Sequence, residues 1–527
     1  MAEFLIELYS EEIPPNLQIE ARIQLKNKFR EVLIEKGVNH KEILEYSSPT
    51  RLCVQITGLK DKIKIASKEV KGPKTDISNI ILKGFLKSHE ALEKDIYKKK
   101  TEKGEFYFLK TKEKNYNTKD FLIDNLPKIL SSVSWKKSMK WSYNTLMWGR
   151  PLRSILAIYN EKKLQFKYFH LLSSDKIIIE KNLITKFKKI KNFKEYFYLL
   201  KKNRIFLNHN ERKQIILERL KTILKSKNFI EKINERLLEE VSNIVEDPNI
   251  LLVNFDKEYL KIPKEIIIST LEKHQRYFPI FDYRENLTNS FFVVANKKDE
   301  KKLIAEGNKR VVNARLADAK FFWEKDRSKN LIKQIASLKK IIFYEKIGSI
   351  YDKTQRLRSL AGFLSDELNI NKEKVQIAAS ISKTDLCSDL VAEYPELQGI
   401  MGKYFALSQG FDVDVANSVS EHYLPSGLTS QIPKKPFSYS ISIVDKIDSL
   451  VGFFLINERP TSSKDPFALR RAAIGLLRII IENKLSIKVR DLINYSIRLY
   501  EEQGVIVDNE NTEIQLIHFL TEFYLLN

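Results

Sequence analysis

Residues 465–478 read Asp-Pro-Phe-Ala-Leu-Arg-Arg-Ala-Ala-Ile-Gly-Leu-Leu-Arg, and this stretch indicates how the C-terminal part of the chain folds. An acid at the N-cap followed by proline at the first helical position predicts a helix that begins at Pro466. The apolar residues of this segment recur at the spacing of one buried helical stripe: Leu469, Ala473, Leu476 and Ile480. The helical pattern holds from residue 331 onward, which predicts that residues 331–485 form an all-helical domain.

The residues before 331 mix strand and helix patterns. Residues 4–8 and 52–56 are typical of strands, and prolines 14 and 15 predict the start of a helix that extends to residue 33. The charged run at 186–191 predicts a solvated loop or helix face. A chain of 527 residues is too long for one hydrophobic core. We therefore expect a multidomain α+β fold with four domains: 1–60, 61–330, 331–485 and 486–527.

Net charge is the most informative bulk property of the chain. It has 91 lysines and arginines against 68 aspartates and glutamates, a formal net charge of +23. Such an excess favours a polyanionic partner, because each neutralised phosphate releases condensed counterions. An AT-rich coding genome would produce the same excess of lysine. Charge alone is therefore compatible with nucleic-acid binding and indicates nothing sharper.

The sequence indicates a cytoplasmic protein without a membrane segment. Glu3 lies where a secretory signal would carry lysines, and no apolar run approaches the roughly 18 residues of a membrane span. Only Cys53 and Cys387 occur, which is too few for a disulfide framework.

Motifs that hold a triphosphate are missing from the sequence. It contains neither a GxxxxGK[ST] phosphate loop nor a GxGxxG turn. The ATP-handling motifs of class I aminoacyl-tRNA synthetases and the paired arginines of class II are missing as well. We therefore expect no independent catalytic residue on this chain.

The order of polar residues in 373–452 resembles the metal-dependent HD phosphohydrolase fold. That fold brings together a first histidine, a His-Asp pair, a mid-chain histidine and a late aspartate. Here the pair reads Thr384-Asp385, the later positions are His422 and Asp445, and no histidine occurs between residues 275 and 421. A hard divalent site without imidazoles binds metal poorly, so we expect no metal ligands. We expect a helical scaffold in which Lys383 pairs with Asp385, Asp445 or an RNA phosphate. A working hydrolase is the alternative.

Short segments from residue 4 to residue 478 resemble, in order, the motifs of one family. They are FLIELYSEEIPP (4–15), PTRL (49–52), MKW (139–141), RPLR (150–153), EVSNIVEDP (240–248), HQRYFP (274–279), GNKRVVNARLADA (307–319), LQGIMG (397–402) and DPFALRRA (465–472). The chain is thereby identified as a member of the glycyl-tRNA synthetase β subunits of the bacterial α2β2 type. The resemblance covers essentially the whole chain.

The resemblance implies a domain order. In this family, modules similar to those of the phenylalanyl-tRNA synthetase β chain come first, which implies a B3/B4-like module within 61–330. A degenerate HD domain follows, here 331–485, and then a helical anticodon-binding domain. The sequence ends at Asn527, near the start of that last domain. We therefore expect 486–527 to be the beginning of an anticodon-binding domain that is mostly lacking, because the sequence is either a fragment or a shortened subunit. Direct reading of the anticodon is not among the functions that we expect of these residues.

The resemblance also implies a division of labour. The α subunit carries the class II site that joins glycine, ATP and the tRNA 3′ end, where Mg²⁺ is expected. The β subunit binds tRNA(Gly) and no cofactor of its own. A general RNA-binding protein without a role in a synthetase stays open as a further alternative.

Five residues are candidates for tRNA binding. Arg471 and Arg478 are seven residues apart and share a helix face, with Arg470 about 100° away. Guanidinium groups suit bidentate contacts with phosphate, although bonds to neighbouring helices or to acids such as Asp448 are the alternative. Arg276 and Tyr277 are candidates for a base-stacking and phosphate-binding pair, and a core position for the aromatic ring is the alternative.

Overall fold

A computed structural model describes residues 2–525, except 66–68, 76–78, 90, 102–103, 111–113, 142, 144, 182–183, 462–463 and 507–510. The chain forms two compact units. One comprises Met1–Val253 and Arg276–Asn308, and the other comprises Asn254–Gln275 and Lys309–Asn527.

The described strands precede residue 296, apart from one short pair. They are β1 (Ala2–Ser10), β2 (Glu42–Ser48), β3 (Arg51–Leu59), β4 (Lys62–Ile65), β5 (Glu69–Lys74), β6 (Ile96–Thr101), β7 (Gly104–Lys110), β8 (Lys114–Asn117), β9 (Leu152–Tyr159), β10 (Lys162–Lys163), β11 (Lys167–Tyr168), β12 (Leu171–Leu172), β13 (Lys176–Lys181), β14 (Ile184–Lys189), β15 (Asn249–Asn254), β16 (Phe278–Phe281), β17 (Leu287–Ala295), β18 (Ile342–Tyr344) and β19 (Gly348–Ser349).

The α-helices are distributed along the chain and dominate after residue 303. They are α1 (Pro15–Glu35), α2 (Asn79–Ser88), α3 (Thr118–Ser131), α4 (Phe193–Lys202), α5 (His209–Ser226), α6 (Glu235–Ser242), α7 (Lys264–Ser269), α8 (Leu303–Arg327), α9 (Leu331–Gln334), α10 (Ile350–Leu368), α11 (Lys372–Ile381), α12 (Asp389–Glu393), α13 (Ile400–Ser408), α14 (Val413–Glu421), α15 (Pro436–Leu455), α16 (Leu469–Glu482), α17 (Val489–Glu502) and α18 (Thr512–Leu525).

The largest sheet is antiparallel, with strand order β10-β9-β1-β3-β2. Phe4, Ile6 and Leu8 of β1 contribute to a core with residues of α1 and α3. Leu5 contributes to a second core with residues of β13 and α4. Both faces are therefore covered, which explains why β1 is an almost continuous apolar run. The predicted strands at 4–8 and 52–56 and the helix from residue 15 are confirmed.

Two small sheets are formed by strands that carry many lysines. One has the order β5-β7-β6, and the other is the β13–β14 hairpin. All six residues of β14 are exposed. The prediction that the charged run from 186 is a loop or helix face is therefore wrong, although its solvation is correct. Lysine at an exposed edge strand is tolerated because it opposes pairing with another chain.

The helix predicted at Pro466 begins instead at Leu469, because Ala468 has a left-handed backbone with φ 58°. Asp465 still caps the helix: its carboxylate accepts hydrogen bonds from the backbone N–H groups of Leu469 at 2.8 Å and Arg470 at 3.1 Å. Three predicted stripe residues are buried, namely Leu469, Ala473 and Leu476. Ile480 is only half-buried, whereas Ile479 is fully buried. The buried face is displaced because α15 and α18 both pack against α16.

The expected α+β class is confirmed, and the C-terminal region is helical. The prediction that 331–485 is all-helical is wrong, because β18 and β19 form a short antiparallel pair there. The division at residues 60, 330 and 485, and the likeness to phenylalanyl-tRNA synthetase modules, stay predictions. Within the described part of the chain, no helix is both long and apolar enough to cross a membrane.

Candidate functional site

The HD-like residues lie together in a buried cluster built by four parts of the helical region. Lys353 belongs to α10, and Lys383 directly precedes a 3-10 turn at Thr384–Cys387. His422 is the C-cap residue that follows α14, while Asp445 and its neighbour Asp448 lie one turn apart on α15. Of the three partners predicted for Lys383, namely Asp385, Asp445 and an RNA phosphate, the structure shows the contact with Asp445.

Lys383 links the histidine and the late aspartate of this cluster. Its ammonium nitrogen is 2.8 Å from Nε2 of His422 and 3.2 Å from Oδ1 of Asp445. Nδ1 of His422 is 2.7 Å from the carbonyl oxygen of Val419 and donates to it, which leaves Nε2 as the acceptor for lysine. Burial and the charge of Lys383 hold the pKa of His422 well below its usual range, so the imidazole is neutral at physiological pH.

Lys353 joins this group to a second buried ion pair. Its ammonium nitrogen lies 3.1 Å from Oδ1 of Asp445 and 2.9 Å from Oδ2 of Asp448. Arg356 donates from Nε to Oδ1 of Asp448 at 2.6 Å. Burial alone would raise the pKa of Asp445, but the ammonium groups of Lys353 and Lys383 hold it well below its usual range. Each of these four charged groups, on Lys353, Arg356, Asp445 and Asp448, thus has an opposite charge beside it.

Asp385 is bound by the backbone rather than by the lysines. Its Oδ2 accepts hydrogen bonds from the N–H groups of Gly399 at 2.6 Å and Gly402 at 3.1 Å. Its Oδ1 has no hydrogen-bond donor among the described residues. Burial raises the pKa of this carboxyl to about 6, against the effect of the two N–H groups. Through these two hydrogen bonds the carboxyl group of Asp385 joins its 3-10 turn to the start of α13.

The donor set does not fit a divalent cation. The hydroxyl of Thr384, which replaces an imidazole, donates to the carbonyl oxygen of Ile381 at 2.7 Å. The carboxylate of Asp445 faces two ammonium groups, which have no lone pair to offer and would repel a metal ion. Among the residues that the structure describes, no three His, Cys, Asp or Glu side chains are arranged to hold a metal. These buried ion pairs and hydrogen bonds are suited to holding the helices of this region together, which is a structural role.

The three arginines of α16 have different surroundings. Arg478 donates from Nε to Glu482 at 2.7 Å and from Nη1 to the carbonyl oxygen of Ser430 at 3.0 Å, so it stabilises a neighbouring loop. Arg470 donates to the carbonyl oxygen of Thr461. Arg471 is exposed and has no hydrogen-bond or ion-pair partner among the described residues. Arg471 and Arg478 line the same narrow pocket, as their predicted common face requires.

Arg276 and Tyr277 lie in the other compact unit. Nε of Arg276 donates to Oε1 of Glu240 at 2.7 Å, and 39% of the arginine side chain is exposed. The Tyr277 ring stacks on Phe291 with centroids 5.3 Å apart, and its hydroxyl group donates to Asn308. Burial raises the pKa of Tyr277. The tyrosine is therefore half-buried, and both its ring and its hydroxyl group have partners within the chain. The role of Arg276 and Tyr277 in tRNA binding stays a prediction.

Sequence reasoning missed Lys353 and Arg356, which complete the buried charge network. The available signal was their position on the apolar face of α10, since Leu357 and Leu360 of the same helix are fully buried. A charge on such a face requires a buried partner. The partner, Asp448, is 92 residues from Arg356 in sequence, and no local pattern connects the two.

Comparison with known proteins gives a consistent result over the whole chain. The family described as "Glycyl-tRNA synthetase beta subunit" matches residues 4–524. A protein named "Glycine--tRNA ligase beta subunit" from Rickettsia canadensis (strain McKiel) is 35% identical, and the match covers 100% of this chain and 78% of the relative. A protein of the same name from Clostridioides difficile (strain 630) is 36% identical over 98% of this chain and 76% of the relative.

Proposed function

The chain belongs to the glycyl-tRNA synthetase beta subunit family, and we propose that it binds tRNA(Gly) and positions it for glycylation at the active site of an α partner. The reaction joins glycine to tRNA(Gly) with ATP and releases AMP and diphosphate. The proposed assembly is an α2β2 tetramer in the cytoplasm. ATP, glycine and Mg²⁺ are bound by the α partner, and this chain holds no cofactor.

The observation that carries the proposal is the match along nearly the entire chain, from residue 4 to residue 524. A net charge of +23 supports RNA as the ligand, since phosphate contacts dominate the affinity of proteins for nucleic acids. The β name of the relatives supports a second, catalytic chain as the partner.

Two alternatives predict different behaviour. An HD-type hydrolase requires a bound divalent ion, and the ammonium groups of Lys353 and Lys383 beside Asp445 oppose one. A general RNA-binding protein would bind tRNA equally well without the α partner and would leave glycylation unchanged.

Reconstitution tests the proposal directly. Glycylation of a tRNA(Gly) transcript is measured with the α partner alone, with this chain alone, and with both. We expect sustained glycylation only with both, because one chain supplies the reaction centre and the other holds the RNA. Full activity of the α partner alone would contradict the proposed role. An unrelated protein of similar positive charge in place of this chain is the control for non-specific RNA stabilisation.

A further inference from the structure

The three-stranded sheet of β5, β7 and β6 has two chemically different faces. On one face, Val70, Leu109 and Ile96 are cross-strand neighbours. Helix α2 packs beside this face, since a Cβ on Gly72 would be only 3.0 Å from a ring carbon of Phe85. Side chains alternate along a strand, so the residues between these positions point to the opposite face.

The opposite face combines lysines with aromatic rings, and we refer to it as the lysine–aromatic face. Its members, fixed by the pairing register, are Glu69, Lys71, Lys74, Tyr97, Lys99, Phe106, Phe108 and Lys110. All of its charged side chains and Tyr97 are exposed, whereas Phe106 is half-buried and Phe108 is buried. The face is therefore open to solvent over its charged atoms.

Aromatic rings position the lysines of this face. The ammonium group of Lys71 is 3.5 Å from the centroid of the Phe106 ring, and that of Lys99 is 5.2 Å from the centroid of the Phe108 ring. The negative face of an aromatic ring attracts a cation, which reduces the number of positions that a flexible lysine adopts. Lysines held in this way lose less conformational entropy when they bind an anion.

The charge of the face is unbalanced. Glu69, its only acid, pairs with Lys99 at 2.9 Å and accepts a hydrogen bond from the hydroxyl group of Tyr97. Lys71, Lys74 and Lys110 have no ion pair with an acid among the described residues at this face, although Lys110 is opposite Glu69 in the register. Three of the four lysines are thus available to a polyanion, while the one acid of the face, Glu69, is paired with the fourth, Lys99.

We propose that the lysine–aromatic face binds the phosphate backbone of tRNA, with Lys71, Lys74 and Lys110 contacting phosphates and the exposed Tyr97 ring lying against a ribose or base. This inference rests on the proposed function and adds to it an RNA-contacting surface on the compact unit that does not contain Arg471. Charge complementarity favours RNA as the ligand, since each phosphate of its backbone carries a negative charge that balances one of the unpaired ammonium groups of the face.

The test uses the chain assembled with its α partner and a tRNA(Gly) transcript, with affinity measured over a range of salt concentrations. The variant carries Lys71→Gln, Lys74→Gln and Lys110→Gln. We expect roughly tenfold or greater loss of affinity at low salt, and a slope of log affinity against log salt smaller by about two to three. The triple lysine-to-arginine variant keeps the charges and should keep the affinity. Lys202→Gln, Lys225→Gln and Lys227→Gln together are the matched control, because these exposed lysines lie elsewhere and carry the same total charge.

Each other outcome overturns the inference in a recognisable way. Unchanged affinity and slope in the first variant, with normal binding by the wild type, would show that the face does not contact RNA while the proposed function stands. An equal loss in the matched control would show a general effect of charge. Loss of α association with unchanged tRNA affinity would make the face a protein interface. Absence of tRNA binding by the wild-type assembly would refute both this inference and the proposed function.

Discussion

Asp448 is the carboxylate on which the buried charge network of α15 depends. It is fully buried. Its carboxylate accepts a hydrogen bond from Nε of Arg356 at 2.6 Å and forms an ion pair with the ammonium group of Lys353 at 2.9 Å. Asp448→Asn would leave Arg356 buried without a compensating charge, and we expect the free energy of unfolding to fall by about 3–5 kcal/mol. Denaturant unfolding measures this loss.

The matched control is Asp366→Asn on α10, because Asp366 is 72% exposed and pairs with an exposed Lys372 at 3.2 Å. Solvent screens such a pair, so its loss should change the free energy of unfolding by about 0–1 kcal/mol. Equal effects of the two substitutions would contradict the structural role of Asp448.

Asp385 predicts a specific dependence of stability on pH. Burial raises its pKa to about 6, whereas an ordinary aspartate titrates at 3.8. Between these values the folded chain retains a proton that the unfolded chain has released. The stabilisation from this group is therefore fully present below pH 3.8 and is lost as pH rises through about 6.

Asp385→Asn cannot titrate and should remove this dependence. From about pH 4 to about pH 7, wild-type stability should fall relative to the variant by up to roughly 3 kcal/mol, the equivalent of the pKa difference. Urea unfolding of both proteins at each pH checks the prediction. A constant difference between the two proteins across this range would mean that the carboxyl is not protonated in the folded chain.

At the scale of single elements, α16 separates a structural arginine from a candidate RNA contact. Arg478→Gln removes hydrogen bonds to Glu482 and to the carbonyl oxygen of Ser430, and we expect a loss of about 1–3 kcal/mol in the free energy of unfolding. Arg471→Gln should change it by less than about 0.5 kcal/mol, because the side chain is exposed. The same substitution should weaken tRNA(Gly) binding.

Denaturant unfolding and tRNA binding, measured on both variants, distinguish the two roles. If Arg471→Gln leaves tRNA affinity unchanged, the assignment of Arg471 to the RNA surface is wrong. If Arg478→Gln weakens tRNA binding without loss of stability, the loop contacts do not explain the role of that arginine.

At the scale of the whole molecule, the chain alone should not activate glycine. Its sequence has no motif that cradles a triphosphate, and activation requires ATP to be held in line with the glycine carboxylate. We expect no glycine-dependent exchange of diphosphate into ATP from this chain, with exchange restored when the α partner is added. Sustained exchange by preparations free of the α partner would contradict this prediction.

The sequence and the structure agree best where a pattern is local. The strand at β1, the helix at α1 and the helical region after residue 331 follow from residues that are neighbours in the chain. The order of the HD-like motif predicted Asp445 as one of three possible partners of Lys383, and the folded chain decided among them. Local patterns gave the wrong helix start where the backbone conformation of one residue sets it: the left-handed conformation of Ala468 makes α16 begin at Leu469.

The sequence by itself determined the family of this chain, its α+β class and the absence of a histidine before His422 in the HD-like segment. Only the tertiary structure decided which charges are buried and which are open to a partner. Arg356 and Asp448 meet although they are 92 residues apart in sequence, and Lys71 lies beside Phe108 only because β5 pairs with β7. The reason is physical. Secondary structure depends on hydrogen bonds and side chains that are a few residues apart in sequence. Ion pairs instead require charged groups within a few ångströms of each other, and only folding brings the distant segments that carry them together.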